Sequence, residues 1–206
     1  MTIETTLNQF LDELASDSPA PGGGSAGAAV GAMGAALVCM VCRLTIGKEK
    51  FAAMAAELQE ALVQAEALRA ELNQLVIEDT VAFNQVMAAF RLPKETTEEK
   101  AARGDAIQSA TQQATLAPLA TARACAQVIE LSRLVAEKGN PNALSDAGAA
   151  AACAQAGLKA ASLNVLINLP SIKDEAFVAA RQAELEQILT KLALADEVYK
   201  LVKQKL

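Results

Sequence analysis

From Ala26 to Cys42 the chain carries no charged residue, and Gly27, Gly31 and Ala35 recur every four positions within that run. Residues four apart share one face of a helix, and small residues there let a neighbouring backbone come close. Pleated sheets favour β-branched and aromatic side chains instead. The run therefore reads as a helix buried on nearly every side. A second run, Ala147 to Leu169, has the same character and is interrupted only by Lys159. Two such helices must bury each other among further helices, which constrains the chain to an all-α bundle. Both runs approach the length of a membrane span. Ala and Gly dominate them rather than Leu and Ile, and Arg43 stands near the end of the first, so the expectation is two central helices and no membrane.

The remaining chain supplies the other helices. Ile3, Leu7, Phe10, Leu11 and Leu14 predict an amphipathic helix over 3–16 that stops at Ser16-Asp17-Ser18-Pro19. The first central helix spans about 25–46 and ends in the hinge Gly47-Lys48-Glu49-Lys50. No Gly or Pro interrupts Phe51 to Arg91, which predicts one long helix with a stripe through Leu58, Leu62, Leu68, Leu72, Val76, Phe83 and Phe90. Asp79 falls on that apolar stripe. Leu92-Pro93-Lys94 ends the helix, and Thr96-Thr97-Glu98-Glu99 is a capping box for the next. Pro118 is expected to kink or restart this helix before it reaches Lys138. Gly139-Asn140-Pro141-Asn142 forms a turn, Ser145 or Asp146 caps the second central helix, and Pro170 terminates it. A last helix runs from about Asp174 to the C-terminus. The sum is six or seven helices in one domain, 1–206, with no convincing strand. Two helices this rich in Ala and Gly invite a flat contact, and a homodimer is expected.

Composition narrows the chemistry. A net charge of −6 and a pI near 4.8 exclude nonspecific nucleic-acid binding. With no His in the chain, Ser-His triads and most zinc sites are excluded, and no metal site is expected. The four cysteines include Cys39-Met40-Val41-Cys42, but this CxxC lies inside an apolar helix and is read as buried thiols in a reducing compartment. Met1-Thr2-Ile3-Glu4 lacks a signal peptide's basic start, so the expected location is cytoplasmic.

Several groups can carry chemistry. Gly22-x-Gly24-x-x-Gly27 matches a dinucleotide fingerprint only formally, because a helix rather than a strand precedes it. It can be a tight turn before a core helix, or a loop where Gly23, Gly24 and Ser25 let backbone approach a ligand. Asp79 must be paired, hydrogen-bonded or protonated if buried. It is either a structural residue, salt-bridged to an Arg or Lys within the bundle or exposed where the stripe meets solvent, or a functional carboxylate in a cleft. Lys48 and Lys50, with Arg91 and Lys94, are either solvated charges or an electropositive rim for an anionic substrate. Asn140, Asn142, Ser145 and Asp146 serve as turn and cap residues or as ligand contacts. Asn164 and Asn168 share a face of the second central helix and bind either another helix or a polar ligand group.

Taken in order, five segments carry a resemblance over nearly the whole chain. They are Pro21-Gly22-Gly23-Gly24-Ser25, Thr45-Ile46-Gly47-Lys48-x-Lys50-Phe51, Asp79-x-x-Ala82-Phe83 with Leu92-Pro93-Lys94, Ala136-Glu137-Lys138-Gly139-Asn140-x-Asn142-x-x-Ser145-Asp146-Ala147-Gly148, and Asn164-Val165-x-Ile167-Asn168. Together they resemble the cyclodeaminase/cyclohydrolase family of tetrahydrofolate enzymes. The resemblance implies an all-helical homodimer that binds a folate substrate in a cleft near the dimer interface, with no tightly bound cofactor. It implies hydrolysis of 5,10-methenyltetrahydrofolate to 10-formyltetrahydrofolate, or alternatively ring closure of the 5-formimino derivative with release of ammonia. It places the Gly-rich loop, the Lys48/Lys50 hinge, Asp79 and the Asn140–Asp146 segment in the site, and the chemistry of that substrate makes Asp79 and Lys48 the expected catalytic groups, with Asp146 the alternative carboxylate. Gly23, Gly24, Ser25, Lys50, Lys94, Asn140, Asn142 and Asn168 become substrate contacts. Glu49 stands where some relatives carry a third Lys, and Phe51 where Tyr is common. The alternative outside this class is a non-catalytic helical dimer in which Asp79 is only salt-bridged.

Overall fold

The computed structural model describes residues 6–206. It contains α1 (Leu7–Leu14), α2 (Gly23–Thr45), α3 (Ala55–Phe90), α4 (Thr97–Lys138), α5 (Leu144–Asn168), α6 (Glu175–Leu189) and α7 (Lys191–Lys205), with short 3₁₀ turns at Glu49–Met54, Pro141–Ala143 and Leu169–Ser171. Among the described residues there is no strand. The fold is the all-α bundle expected, and its two most apolar helices, α2 and α5, lie side by side within it.

Small residues set that contact. A Cβ added at Gly157 would lie 2.7 Å from the Gly27 carbonyl oxygen, and one at Gly34 would lie 2.9 Å from that of Ala150. No side chain fits between the two backbones at these points, so the helices touch directly and run antiparallel. Gly31 of α2 and Gly157 of α5 both back onto the Cys125 sulfur of α4, at 2.6 and 2.8 Å from where their Cβ atoms would stand. Three helices thus converge on one buried thiol. Ala28, Ala35, Val38, Ala147, Ala151, Ala154 and Leu158 complete a fully buried core of modest side chains. α7 closes the far side of α5, with Gly148 against Val202.

The first helix begins at Leu7, held by a Thr6–Gln9 capping box, and none of its residues is buried; the expected start at Ile3 lies outside the described residues. Residues 49–54 form a 3₁₀ turn, so the long third helix starts at Ala55. Pro118 does not restart the helix: α4 is continuous over 42 residues with Pro118 buried inside. A proline in mid-helix frees the carbonyl four residues earlier. That carbonyl, Ala114 O, accepts the Asn168 side-chain amide at 3.3 Å, so α5 supplies the bond Pro118 cannot. The C-terminal helix divides at Thr190 without a Gly or Pro. The Thr190 N–H and hydroxyl both turn back to Gln187 O, at 3.3 and 2.6 Å.

α2 and segment 141–171 are long and apolar enough to cross a membrane, with 61% and 44% of the respective windows buried inside the protein. What stays open on each is a single face. Met33, Ala36, Met40 and Leu44 recur along α2, and Ala149, Ala152, Ala156, Leu163 and Ile167 along α5. By helical spacing both faces point away from α4, on the same side of the molecule. Leu163 is 67% and Ile167 75% exposed there.

Candidate active site

The sequence-derived candidates gather at the two ends of α2. Gly22 caps its start in an extended conformation, and Gly23, Gly24 and Ser25 form the first turn. Asp79 of α3 lies against that turn. The Ser25 hydroxyl donates to Asp79 Oδ2 at 2.8 Å and stands 3.2 Å from the Thr80 hydroxyl. A Cβ at Gly24 would come within 2.6 Å of the Asp79 carboxyl carbon and 2.7 Å of Oδ2. Only glycine leaves room there for the carboxylate. The first turn of a helix carries free N–H groups and a partial positive charge, so a carboxylate is favoured at this place.

The anion at the start of α2 is therefore one of the chain's own. Burial pushes the Asp79 carboxyl above the usual carboxylate range, and the Ser25 hydroxyl and N–H pull it back down. Among the described residues no Lys or Arg forms an ion pair with it, unlike Glu57, Glu66, Glu130, Glu137, Glu184 and Glu197. The salt-bridge reading of Asp79 is thereby ruled out within the described protomer. Gly24 and Ser25 are buried, and Gly23 is exposed beside Asn164, whose amide donates to Ala160 O at 2.9 Å. Asn168 lies further along α5, bonded to Ala114 O. Lys94 is exposed in the turn between α3 and α4. That turn ends an arm that projects past the bundle: beyond Leu75 only Ala89 of α3 is buried, and Thr111 is the first buried residue of α4.

At the other end of α2, Asn140 works as a staple. Its N–H donates to Thr45 Oγ1 at 2.8 Å, its side-chain amide donates to Leu44 O at 3.1 Å, and its Oδ1 accepts the Asn142 N–H at 3.2 Å. It satisfies groups that the helix end would leave free, and only 5% of it is exposed. Lys48 and Lys50 are exposed on the hinge, with the Lys50 ammonium 4.6 Å from the centre of the Phe51 ring. Asn142 is exposed, and Asp146 is half-buried in the first turn of α5.

The two groups are far apart. α2 has 23 residues, which at 1.5 Å per residue separates its ends by roughly 34 Å. Within one protomer, Lys48, Lys50, Asn140, Asn142 and Asp146 stand at one end, and Gly23, Gly24, Ser25, Asp79 and Asn168 at the other. The sequence reading missed this separation. It also missed Thr80 as a partner of Ser25, although two adjacent polar residues on an apolar stripe signal such a contact.

The cysteines take no part. Burial pushes Cys39 up to about 12, Cys42 to about 11 and Cys125 to about 12, with the Glu66 carboxylate adding to the effect at Cys39. Thiols so rarely ionised are poor nucleophiles and ligands. Among the described residues no three His, Cys, Asp or Glu side chains cluster as a metal site would require.

The fold and site define a class: an all-helical, histidine-free protein in which a half-buried carboxylate is held at a helix start. The chain belongs to the formiminotransferase-cyclodeaminase family, whose model matches residues 6–187. It is 50% identical to a methenyltetrahydrofolate cyclohydrolase of Methylorubrum extorquens, over 100% of this chain and 99% of that protein. It is 36% identical to the formimidoyltransferase-cyclodeaminase of Mus musculus over 91% of its length, while spanning 35% of the mouse protein. The crystal structure of a formiminotetrahydrofolate cyclodeaminase from Thermotoga maritima superposes with a TM-score of 0.84 at 32% identity, covering 98% of this chain and 96% of that one.

Proposed function

We propose that the protein is a cytoplasmic tetrahydrofolate enzyme that reversibly hydrolyses 5,10-methenyltetrahydrofolate to 10-formyltetrahydrofolate. The full-length similarity to a cyclohydrolase favours this reaction over formimino ring closure. One observation carries the chemical part: Asp79 is a half-buried carboxylate with no cationic partner among the described residues. The methenyl bridge between N5 and N10 is a cationic amidinium, and it supplies the charge that Asp79 lacks.

The steps follow from that pairing. The Asp79 carboxylate takes a proton from water as the water oxygen bonds to the methenyl carbon, giving a neutral carbinolamine. The bond from that carbon to N5 then breaks, N5 receives the proton from Asp79, and the hydroxyl proton leaves as the formyl C=O forms on N10. Water is added and one proton is released, without redox chemistry. Lys48 polarises the bridge or donates a proton, with Asp146 the alternative carboxylate. Lys50 and Lys94 attract the glutamate tail, and Gly23, Asn142 and Asn168 line the cleft.

Lys48 and Asp79 reach one substrate only if two protomers share it. The open faces of α2 and α5 offer the surface for this: a two-fold pairing through them, with the α2 helices antiparallel, brings the Lys48 end of one protomer to the Asp79 end of its partner. The site is then a cleft across a homodimer interface. Asp79→Asn tests the assignment. Turnover of methenyltetrahydrofolate, followed by loss of its absorbance, should fall on the order of 10²-fold or more. Near-wild-type turnover would remove Asp79 from the mechanism.

A further inference from the structure

We propose that Ser25 and Thr80 are positioning residues, forming a reversible hydroxyl chain that lets one carboxyl group, Asp79, serve alternately as base and acid. This rests on the assignment of proton transfer to Asp79. Ser25 is fully buried, so within the protomer its hydroxyl faces protein groups only. Two of them compete for it: Asp79 Oδ2 at 2.8 Å and Thr80 Oγ1 at 3.2 Å. Beyond Thr80 the chain continues to the carbonyl of Val76, 3.5 Å from Thr80 Oγ1.

An ionised carboxylate only accepts hydrogen bonds. In that state Ser25 donates to Asp79 and has a lone pair free for the Thr80 proton. A protonated carboxyl group can instead donate to Ser25. Ser25 then turns its proton to Thr80, and Thr80 turns its own to Val76 O. Two hydroxyl rotations convert one arrangement into the other without displacing a heavy atom. Buried polar groups keep partners in both states, so neither form is penalised by an unpaired hydroxyl.

The reaction needs that symmetry. Asp79 removes a proton from water in the first step and returns one to N5 in the second, and its position must hold through both. Gly24 also secures the position, since its missing side chain leaves the space that the carboxylate occupies. The groups facing Asp79 keep it responsive to this chain. α2 contributes the Ser25 hydroxyl and N–H, and the neighbouring Glu78 of α3 is exposed. Burial and Ser25 are the influences that act on the carboxyl group, and they act in opposite directions.

The test uses Ser25→Ala and Thr80→Val in the full-length enzyme, beside Asp79→Asn. Kinetics across pH and a ¹³C carboxyl titration of the ligand-free protein are the readouts. Ser25→Ala removes the donor to the ionised form, so the Asp79 titration and the acid limb of kcat/KM should both move to higher pH. Its kcat should fall about 10-fold with little change in KM. Thr80→Val, an isosteric change at the end of the chain, should move both in the same direction with a kcat loss of about 3-fold. If Asp79→Asn is inactive while Ser25→Ala and Thr80→Val keep the wild-type kcat and acid limb, the hydroxyl chain is refuted and the role of Asp79 stands. If Asp79→Asn is active, both fall together. Should Ser25→Ala fail to fold, Thr80→Val decides alone.

Discussion

Two inactive variants should restore activity when mixed. Asp79→Asn removes the carboxylate at the start of α2, and Lys48→Ala removes the ammonium beyond its end. The 23 residues of α2 hold these groups roughly 34 Å apart in one protomer, more than a single methenyl bridge can span. In a site shared across a two-fold interface, a dimer of one variant with the other places both lesions in one site and leaves its second site intact. Random re-pairing at equal concentrations makes about half the dimers mixed, each with one working site of two, so about one quarter of wild-type specific activity should return. The converse mixture sharpens the test. A chain carrying both substitutions, mixed equally with wild type, leaves active only the wild-type homodimers, about one quarter of full activity, whereas independent sites would leave about one half. Methenyl absorbance followed before and after subunit exchange measures both. Recovery no greater than the sum of the single variants, with about one half in the converse mixture, would refute a shared site and return Lys48 and Asp79 to separate roles.

Three further outcomes follow from contacts already described. Gly24→Ala would set a methyl group 2.6 Å from the Asp79 carboxyl carbon, so the carboxyl group must move by about 1 Å. Turnover should drop on the order of 10²-fold while far-UV circular dichroism stays unchanged. Asn168→Ala should lower stability by about 1–2 kcal/mol by leaving Ala114 O unpaired. The loss should shrink markedly in a Pro118→Ala background, where the helix supplies its own bond, and urea denaturation of the four proteins of that cycle measures the coupling. Glu66 is held down at about 2 by hydrogen bonds from Arg69 first and Arg43 second, from an ordinary value of 4.5. A lowered carboxyl contributes stability above the ordinary value and loses it as pH falls through the lowered one. Glu66 is partly exposed, so solvent screening limits Glu66→Gln to a loss of about 1 kcal/mol at pH 7. That loss should fade as urea midpoints are followed down from pH 4.5 towards pH 2.

The fold was largely legible because it rests on local pattern. The charge-free runs named both central helices, and the four-residue spacing of Gly27 and Gly31 anticipated the close approach to Gly157, while the contact of Gly34 with Ala150 fell outside that spacing. Pro118 misled because its local rule is sound but its remedy is remote: Asn168, 50 residues on in sequence, replaces the missing bond. Thr190 left no trace, since a helix can divide by shifting one hydrogen bond without a breaker residue. In the site, Asp79 stood out as a carboxylate on an apolar stripe, and Asn140 and Ser25 were visible as polar residues at helix ends. Their structural duties were not, because a staple and a ligand contact use the same side chains. Motif order also hides distance. Gly24 and Lys48 are near in sequence, yet a straight helix carries them to opposite ends of the molecule.

The bare backbone contact between α2 and α5 makes α2 a ruler. Side-chain layers between helices can be repacked to absorb an inserted residue. A contact of glycine against carbonyl cannot, because any shift drives a Cβ-bearing residue into the opposing chain. One added residue would lengthen α2 by about 1.5 Å and turn its faces by about 100°, uncoupling Gly24 from Asp79 at one end or Thr45 from Asn140 at the other. Length changes during evolution should therefore collect in α1, in the arm around Lys94 and in the α6–α7 turn. The segment Gly23–Thr45 should keep a constant count of residues even where its identities drift.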